Sequence, residues 1–309
     1  MSSPPDRVRA ALLLTNRLVR LDAAPLTARE FWQLVERMDP AELLGADVAT
    51  IAERADVADH EAVRYRTLLD AATAMSFEQE RLADAGISLM SALDDSFPTR
   101  LRERLGHGCP PFLLTAGRIE PLAGPSLGVA GSREAEQPAL DVARRAAVLA
   151  VEQGRSVVGG LARGVDQAAL DGALDAGGVA VGIPAEGISL ASRSAEIRRR
   201  VHAGELSLAS PYAPDARFSA GSANGRNKIV YALSQVTFVA AARDGSGGSW
   251  AGATEALERR YCPVAVWMGD GADDGNGALV RRGAIPITDP NRLFEIDDLA
   301  PPPVQEPLF

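Results

Sequence analysis

The chain has 309 residues, a formal charge of −9, 46% hydrophobic residues, 24% charged residues and only 5% aromatics. Its length exceeds one average domain, and its composition excludes disorder over most of that length. The acid excess excludes a uniformly basic grip on nucleic acid, so any such binding has to use a local basic patch. No segment approaches the roughly 20 apolar residues of a membrane span. Ala10 to Leu14 is too short for a signal-peptide core, so the cytoplasm is expected. Cys109 and Cys262, with His60, His107 and His202, are scattered without ligand spacing, so neither a disulfide, a metal site nor a cofactor is expected.

The first third reads as helical. Val8 to Leu21, Ala28 to Met38 and His60 to Met75 carry apolar residues three and four apart, and Ala41 to Gly45 reads as a helical turn. This predicts a small helical domain over residues 1–85. Gly86 to Met90 and Phe112 to Gly117 read as short strands.

From Leu127 the pattern alternates. Strands are predicted at Leu127–Ala130, 156–158, 179–183, 206–209, 236–241 and 263–268, and helices at 138–153, 166–176, 192–202, 224–234 and 250–260. Alternation of this kind predicts an α/β, Rossmann-like domain over 86–297: a mostly parallel sheet with helices on both faces. Residues 298–309, with Pro301 to Pro303, read as an extended tail.

Ligands of such sheets bind beyond the carboxyl ends of the strands. Four loops there combine small residues with polar partners: Gly131-Ser132-Arg133; Gly159-Gly160-Leu161-Ala162-Arg163-Gly164-Val165-Asp166; Gly221 to Lys228; and Asp244-Gly245-Ser246-Gly247-Gly248-Ser249. The glycines permit close approach, and a serine or a helix amide can face an anion that an arginine neutralises. Asp166 suits a helix N-cap. Arg226 and Lys228, the only lysine, read as first-turn cations, which oppose the helix dipole unless an anion is bound. Arg193, Arg198, Arg199 and Arg200 form a basic stretch, either a solvated face or an extension of a DNA track.

Three runs, Val129-Ala130-Gly131-Ser132-Arg133, Gly160 to Asp166 and Gly225-Arg226-Asn227-Lys228-Ile229-Val230-Tyr231-Ala232-Leu233-Ser234, resemble in order and spacing the motifs of the DNA-processing protein A family (DprA, also Smf). Ser96-Phe97-Pro98, Gly177-Gly178, Gly275 to Leu279 and Gly283-Ala284 add to the resemblance, which is densest from Phe97 to Ile287. It implies a SAM-like helical N-terminal domain and a Rossmann-like domain that binds single-stranded DNA without catalysis, forms a homodimer and assists RecA loading in recombination or DNA uptake. It further implies phosphate contacts from Ser132, Arg133, Arg163, Arg226 and Lys228. Gly131, Gly160 and Gly164 would let the strand approach, and Ser246 and Gly247 would add to the site. Asn227 either reaches a phosphate or caps its helix.

The chain also departs from the family. Gly159 replaces a serine, Ala169-Leu170 an Ala-His pair, Ala240-Ala241-Ala242 a Val-Glu-Ala run, and Lys228 an arginine, and the C-terminal winged helix has no evident counterpart. Gln305, Leu308 and Phe309 resemble the short peptides that dock on the sliding clamp.

The alternatives are a nucleotide sensor or phosphoribohydrolase-like enzyme, echoed by Gly247-Gly248-Ser249 with Thr254-Glu255, and a scaffold with a vestigial cleft. The DNA reading requires Arg133, Arg163, Arg226 and Lys228 to converge on one groove. Four such cations predict a log–log salt slope of about −2 to −4.

Overall fold

The computed structural model describes residues 5–296. These form two compact units, the first built from 5–97, 106–115 and 211–214 and the second from 98–105, 116–210 and 215–296.

The first unit holds helices α1 (Asp6–Thr15), α2 (Ala28–Arg37), α3 (Val48–Ala55), α4 (Asp59–Leu69) and α5 (Ala72–Asp84). Adjacent strands β1 (Ile87–Ser91) and β2 (Phe112–Ala116) complete it. Its core is Leu13, Leu14, Phe31, Leu34, Leu43, Ile51 and Leu68, all buried. Thr27 and Glu30 make a reciprocal capping box that starts α2. The periodic stretch 60–75 is split into α4 and α5 at Asp70-Ala71, and the stretch 8–21 leaves helix after Thr15. There the Asn16 side-chain oxygen accepts the amides of Leu18 and Val19 and turns the chain.

The second unit begins with α6 (Thr99–Leu105) and α7 (Glu120–Ala123). It continues with β3 (Ser126–Ala130), α8 (Gln137–Glu152), β4 (Ser156–Gly159), α9 (Val165–Asp175), β5 (Ala180–Gly182), α10 (Ile188–Ala191), α11 (Ala195–His202) and β6 (Leu206–Ser210). Then come α12 (Ala220–Leu233), β7 (Val236–Val239), α13 (Gly247–Arg259), β8 (Val264–Trp267), α14 (Asp274–Arg281) and β9 (Ile285–Ile287). The strand order is β6-β5-β4-β3-β7-β8-β9. The pairs β3–β4, β3–β7, β4–β5, β5–β6, β7–β8 and β8–β9 are all parallel.

The expected Rossmann-like sheet is therefore present. From β3 the chain winds outward through β4, β5 and β6, then returns to β7 on the other side of β3. Right-handed crossovers in opposite directions place the two sets of helices on opposite faces. Reversal at β3 and β7 is a topological switch point, where the strand ends open a crevice.

Two boundaries differ in ways that matter for the site. The helix expected from Asn224 starts at Ala220, because Ser219 and Ser222 form a capping box. The arginine-rich helix expected from Ser192 starts at Ala195, capped by the Ser194 side chain, and a separate short helix, α10, precedes it. The tail 298–309, with the clamp-like Gln305, Leu308 and Phe309, lies outside the described residues.

Candidate functional site

A cleft of about 560 Å³ opens at the switch point, where the loops after β3 and β7 meet the starts of α12 and α13. Arg133, Arg226, Arg243, Glu134 and Asp166 are the charged side chains lining it. Three cations against two carboxylates make it locally positive in an acidic chain.

Its floor is an ion pair. Arg226 is 5% exposed and Asp166 6%, with 3.4 Å between Arg226 Nη1 and Asp166 Oδ2. The same carboxylate oxygen accepts the Gly160 amide at 2.9 Å. Burial pushes the Asp166 carboxyl upward, against the opposing pull of Arg226 and of the Gly160 and Ala162 amides. Asp166 is thus not an N-cap: α9 starts at Val165, with Gly164 in the cap position. Nor is Arg226 a first-turn cation or an open phosphate contact. With α12 starting at Ala220, it lies in the second turn and turns inward to neutralise Asp166.

The motif glycines have a packing role at this floor. A Cβ on Gly160 would lie 0.6 Å from Arg226 Nη1, so the guanidinium occupies the space a side chain would need. Gly164 has φ +83°, and its Cβ would lie 2.4 Å from the Ser132 carbonyl oxygen. A Cβ on Gly131 would strike Val165 at 2.5 Å. Gly131 and Gly164 press the start of α9 and the loop before it onto the β3 loop, while Gly160 makes room for Arg226 of α12. Asn276 performs a related task at the end of β7: its amide group donates to the Ala240 and Trp267 carbonyls and accepts the Ala242 amide.

The rim is open. Arg133 is exposed and places its guanidinium 5.6 Å from the centroid of the Phe218 ring, within cation–π range. Phe218 is itself 54% exposed. The Ser132 amide is spent on the Ala241 carbonyl, and the Ser132 hydroxyl oxygen accepts the Glu134 amide, which leaves the O–H as a donor. Arg243 is held by Glu134 at 3.0 Å.

Across the cleft, Ser246 precedes α13 without making a side-chain cap. Ser246, Gly247, Gly248 and Ser249 line the cleft, and the amides of Gly247 to Ser249 donate to no partner among the described residues. Asn227 neither caps α12 nor stands free: its Nδ2 donates to the Gly248 carbonyl at 3.0 Å, tying α12 to the first turn of α13.

The four expected cations do not converge, so the condition that the sequence set for a DNA site is not met by these residues. Of the four, only Arg133 stands on the cleft without an ion pair among the described residues. Lys228 pairs with Glu255 at 3.1 Å on the neighbouring helix and does not line the cleft. Arg163 is exposed on the β4–α9 loop, also outside the lining. In the basic stretch, Arg199 and Arg200 pair with Glu196 and Glu205, whereas Arg198 donates to the Ser192 and Arg193 carbonyls. Glu255, the carboxylate of the hydrolase-like echo, is engaged by Lys228 and Tyr261 away from the cleft.

Sequence reasoning missed Phe218 and Arg243, both of which line the cleft. Phe218 had a signal, an aromatic beside an arginine in a stretch of small residues, within a chain poor in aromatics.

The profile of the family described as DNA recombination-mediator protein A matches residues 88–296. The chain is 28% identical over 282 residues to DNA processing protein DprA of Streptococcus pneumoniae, covering 89% of this chain and 95% of that protein. A solved structure of S. pneumoniae DprA superposes with a TM-score of 0.75 at 23% identity, over 95% of this chain and 98% of that one. A DprA structure from Helicobacter pylori, reported for its single-stranded DNA binding mode, has a TM-score of 0.55 at 22% identity over 68% and 94%. With the profile spanning more than half its length, the chain belongs to the DNA recombination-mediator protein A family.

Proposed function

We propose that this protein binds single-stranded DNA in the cleft between β3, β7 and the start of α13, as an accessory of recombination or DNA uptake rather than as a catalyst. The observation that carries the reading is the Arg133–Phe218 pair on the rim, facing the open amides of Gly247 to Ser249. An exposed ring beside an arginine gives a base a stacking surface, worth about 1–3 kcal/mol per base in single-strand binding. Helix amides donate to the phosphate that follows it. Both cleft carboxylates are engaged, Asp166 by Arg226 and Gly160 and Glu134 by Arg243, which favours holding a strand over proton transfer. The kinship with DprA proteins, one studied for its single-stranded DNA binding, points the same way.

Among the described residues, Arg133 on the rim has no ion pair, and neither do Arg163 and Arg217, which are exposed outside the cleft lining. Arg133 alone gives a salt slope of about −0.7, and a strand long enough to reach all three gives a slope of about −2, the shallow end of the range expected from sequence. Fluorescence anisotropy with a labelled thymidine oligomer at several salt concentrations tests this. A salt-independent affinity, or equal affinity for duplex and single strand, would reject the assignment.

The finer roles rest on the family resemblance. They are delivery of the strand to RecA, tested by RecA filament growth on strands pre-bound by this protein, and a homodimer, tested by sedimentation. Docking of residues 305–309 on the sliding clamp is tested with the peptide.

A further inference from the structure

We propose that the deep end of this cleft is a seat for a nucleoside 5′-phosphate carrying a terminal phosphomonoester, whether a free nucleotide or the 5′-phosphorylated end of a DNA strand. The inference takes the strand-binding reading of the cleft as its base and adds where the strand begins.

Three observations carry it. First, about 560 Å³ at a topological switch point falls within the range of pockets that enclose one small ligand. Its floor is closed by buried residues, Val129, Val230 and the Asp166–Arg226 pair among them. Second, α13 spans 13 residues and begins with three unused amides and no side-chain cap. By contrast, the first turn of α12, on the same cleft, is closed by the Ser219–Ser222 capping box. An uncapped helix start beside a capped one offers a place for an anion, and a phosphomonoester dianion gains more there than a diester monoanion. Third, Tyr231 lines the same cleft and is 1% exposed, yet its hydroxyl has no hydrogen-bond partner. A buried phenol without a partner costs stability unless a ligand oxygen completes it.

The seat also explains the small residues at the start of α13. A Cβ on Gly248 would meet only the Asn227 and Asn224 side chains at 3.5 and 3.7 Å, ordinary contact distances. An aspartate therefore fits there, where a carboxylate suits the helix dipole but repels phosphate.

The experiment uses the full chain and fluorescence anisotropy with thymidine oligomers bearing a 5′-phosphate or a 5′-hydroxyl, together with competition by dTMP, thymidine and inorganic phosphate. The expected result is at least fivefold tighter binding of the 5′-phosphorylated oligomer. Displacement by dTMP but not by thymidine would show that free nucleotides share the seat; preference for the phosphorylated end without such displacement would assign it to strand ends. Gly248→Asp should abolish the 5′-phosphate preference while thermal stability is held, and Tyr231→Phe should weaken it severalfold. Equal binding of both oligomers, with no displacement by millimolar dTMP, overturns the inference yet leaves DNA binding standing. Binding of dTMP without binding of any oligomer supports the seat and removes the strand reading beneath it.

Discussion

The floor and the rim of the cleft are each built around an arginine from a motif loop, and the two arginines do opposite things. Arg226 is buried against Asp166, with the missing side chain of Gly160 making its room. Arg133 is exposed on the loop after β3, with no ion pair among the described residues and an aromatic ring beside it. A motif arginine is therefore not by itself a ligand contact. Whether it holds the fold or meets the ligand depends on where the nearest carboxylate lies and on which neighbour gives up its Cβ.

The strongest way to break this division is to remove one half of the floor. Asp166→Ala removes the carboxylate beside the buried Arg226 guanidinium, and we expect a loss of about 3–5 kcal/mol in urea unfolding. The double replacement Asp166→Leu with Arg226→Met should restore much of it, because an apolar pair of similar volume avoids burying two charges. A floor variant that unfolds like the parent while losing DNA would instead place Arg226 among the strand contacts. Gly164→Ala ranks next. A side chain at φ +83°, pressed on the Ser132 carbonyl, should cost about 2 kcal/mol or more and loosen the β3 loop with it.

The rim should respond in binding and not in stability. Phe218→Ala is expected to cost about 1–3 kcal/mol of single-strand affinity, with unfolding changed by less than about 0.5 kcal/mol. Arg133→Ala should lower affinity and flatten the salt slope by about 0.7. Parallel anisotropy titrations and melts separate the two regions: floor variants move the melt, rim variants the titration.

Much of this was legible in the sequence. The alternation from Leu127 onward gave the parallel sheet, and the motif runs marked the loops at its carboxyl edge, because apolar period and turn residues are local properties. The partners of the charges were not legible. Nothing within the run Gly160 to Asp166 tells that its aspartate faces an arginine 60 residues later, nor that Lys228 will find Glu255 on the next helix. The start of α12 was misplaced for a related reason. Ser219 and Ser222 cap through their side chains, whereas Gly221 and Gly225 advertise a loop. That error of one helical turn made Arg226 a first-turn cation on paper and hid its inward direction.

Lys228 supplies the smallest effect and the sharpest check on the division, because sequence reasoning grouped it with Arg133. It is 43% exposed at the side chain and bonded to Glu255 at 3.1 Å, outside the cleft lining. An exposed pair of this kind contributes about 0–1 kcal/mol, so Lys228→Ala should scarcely shift the melt. If the carboxylate has already claimed the charge, the same variant should also leave both the affinity and the salt slope as they were. A slope flattened by about 0.7 would mean that the strand displaces Glu255 and recruits the lysine. The rim would then extend along α12, past the edge that the resting ion pairs draw.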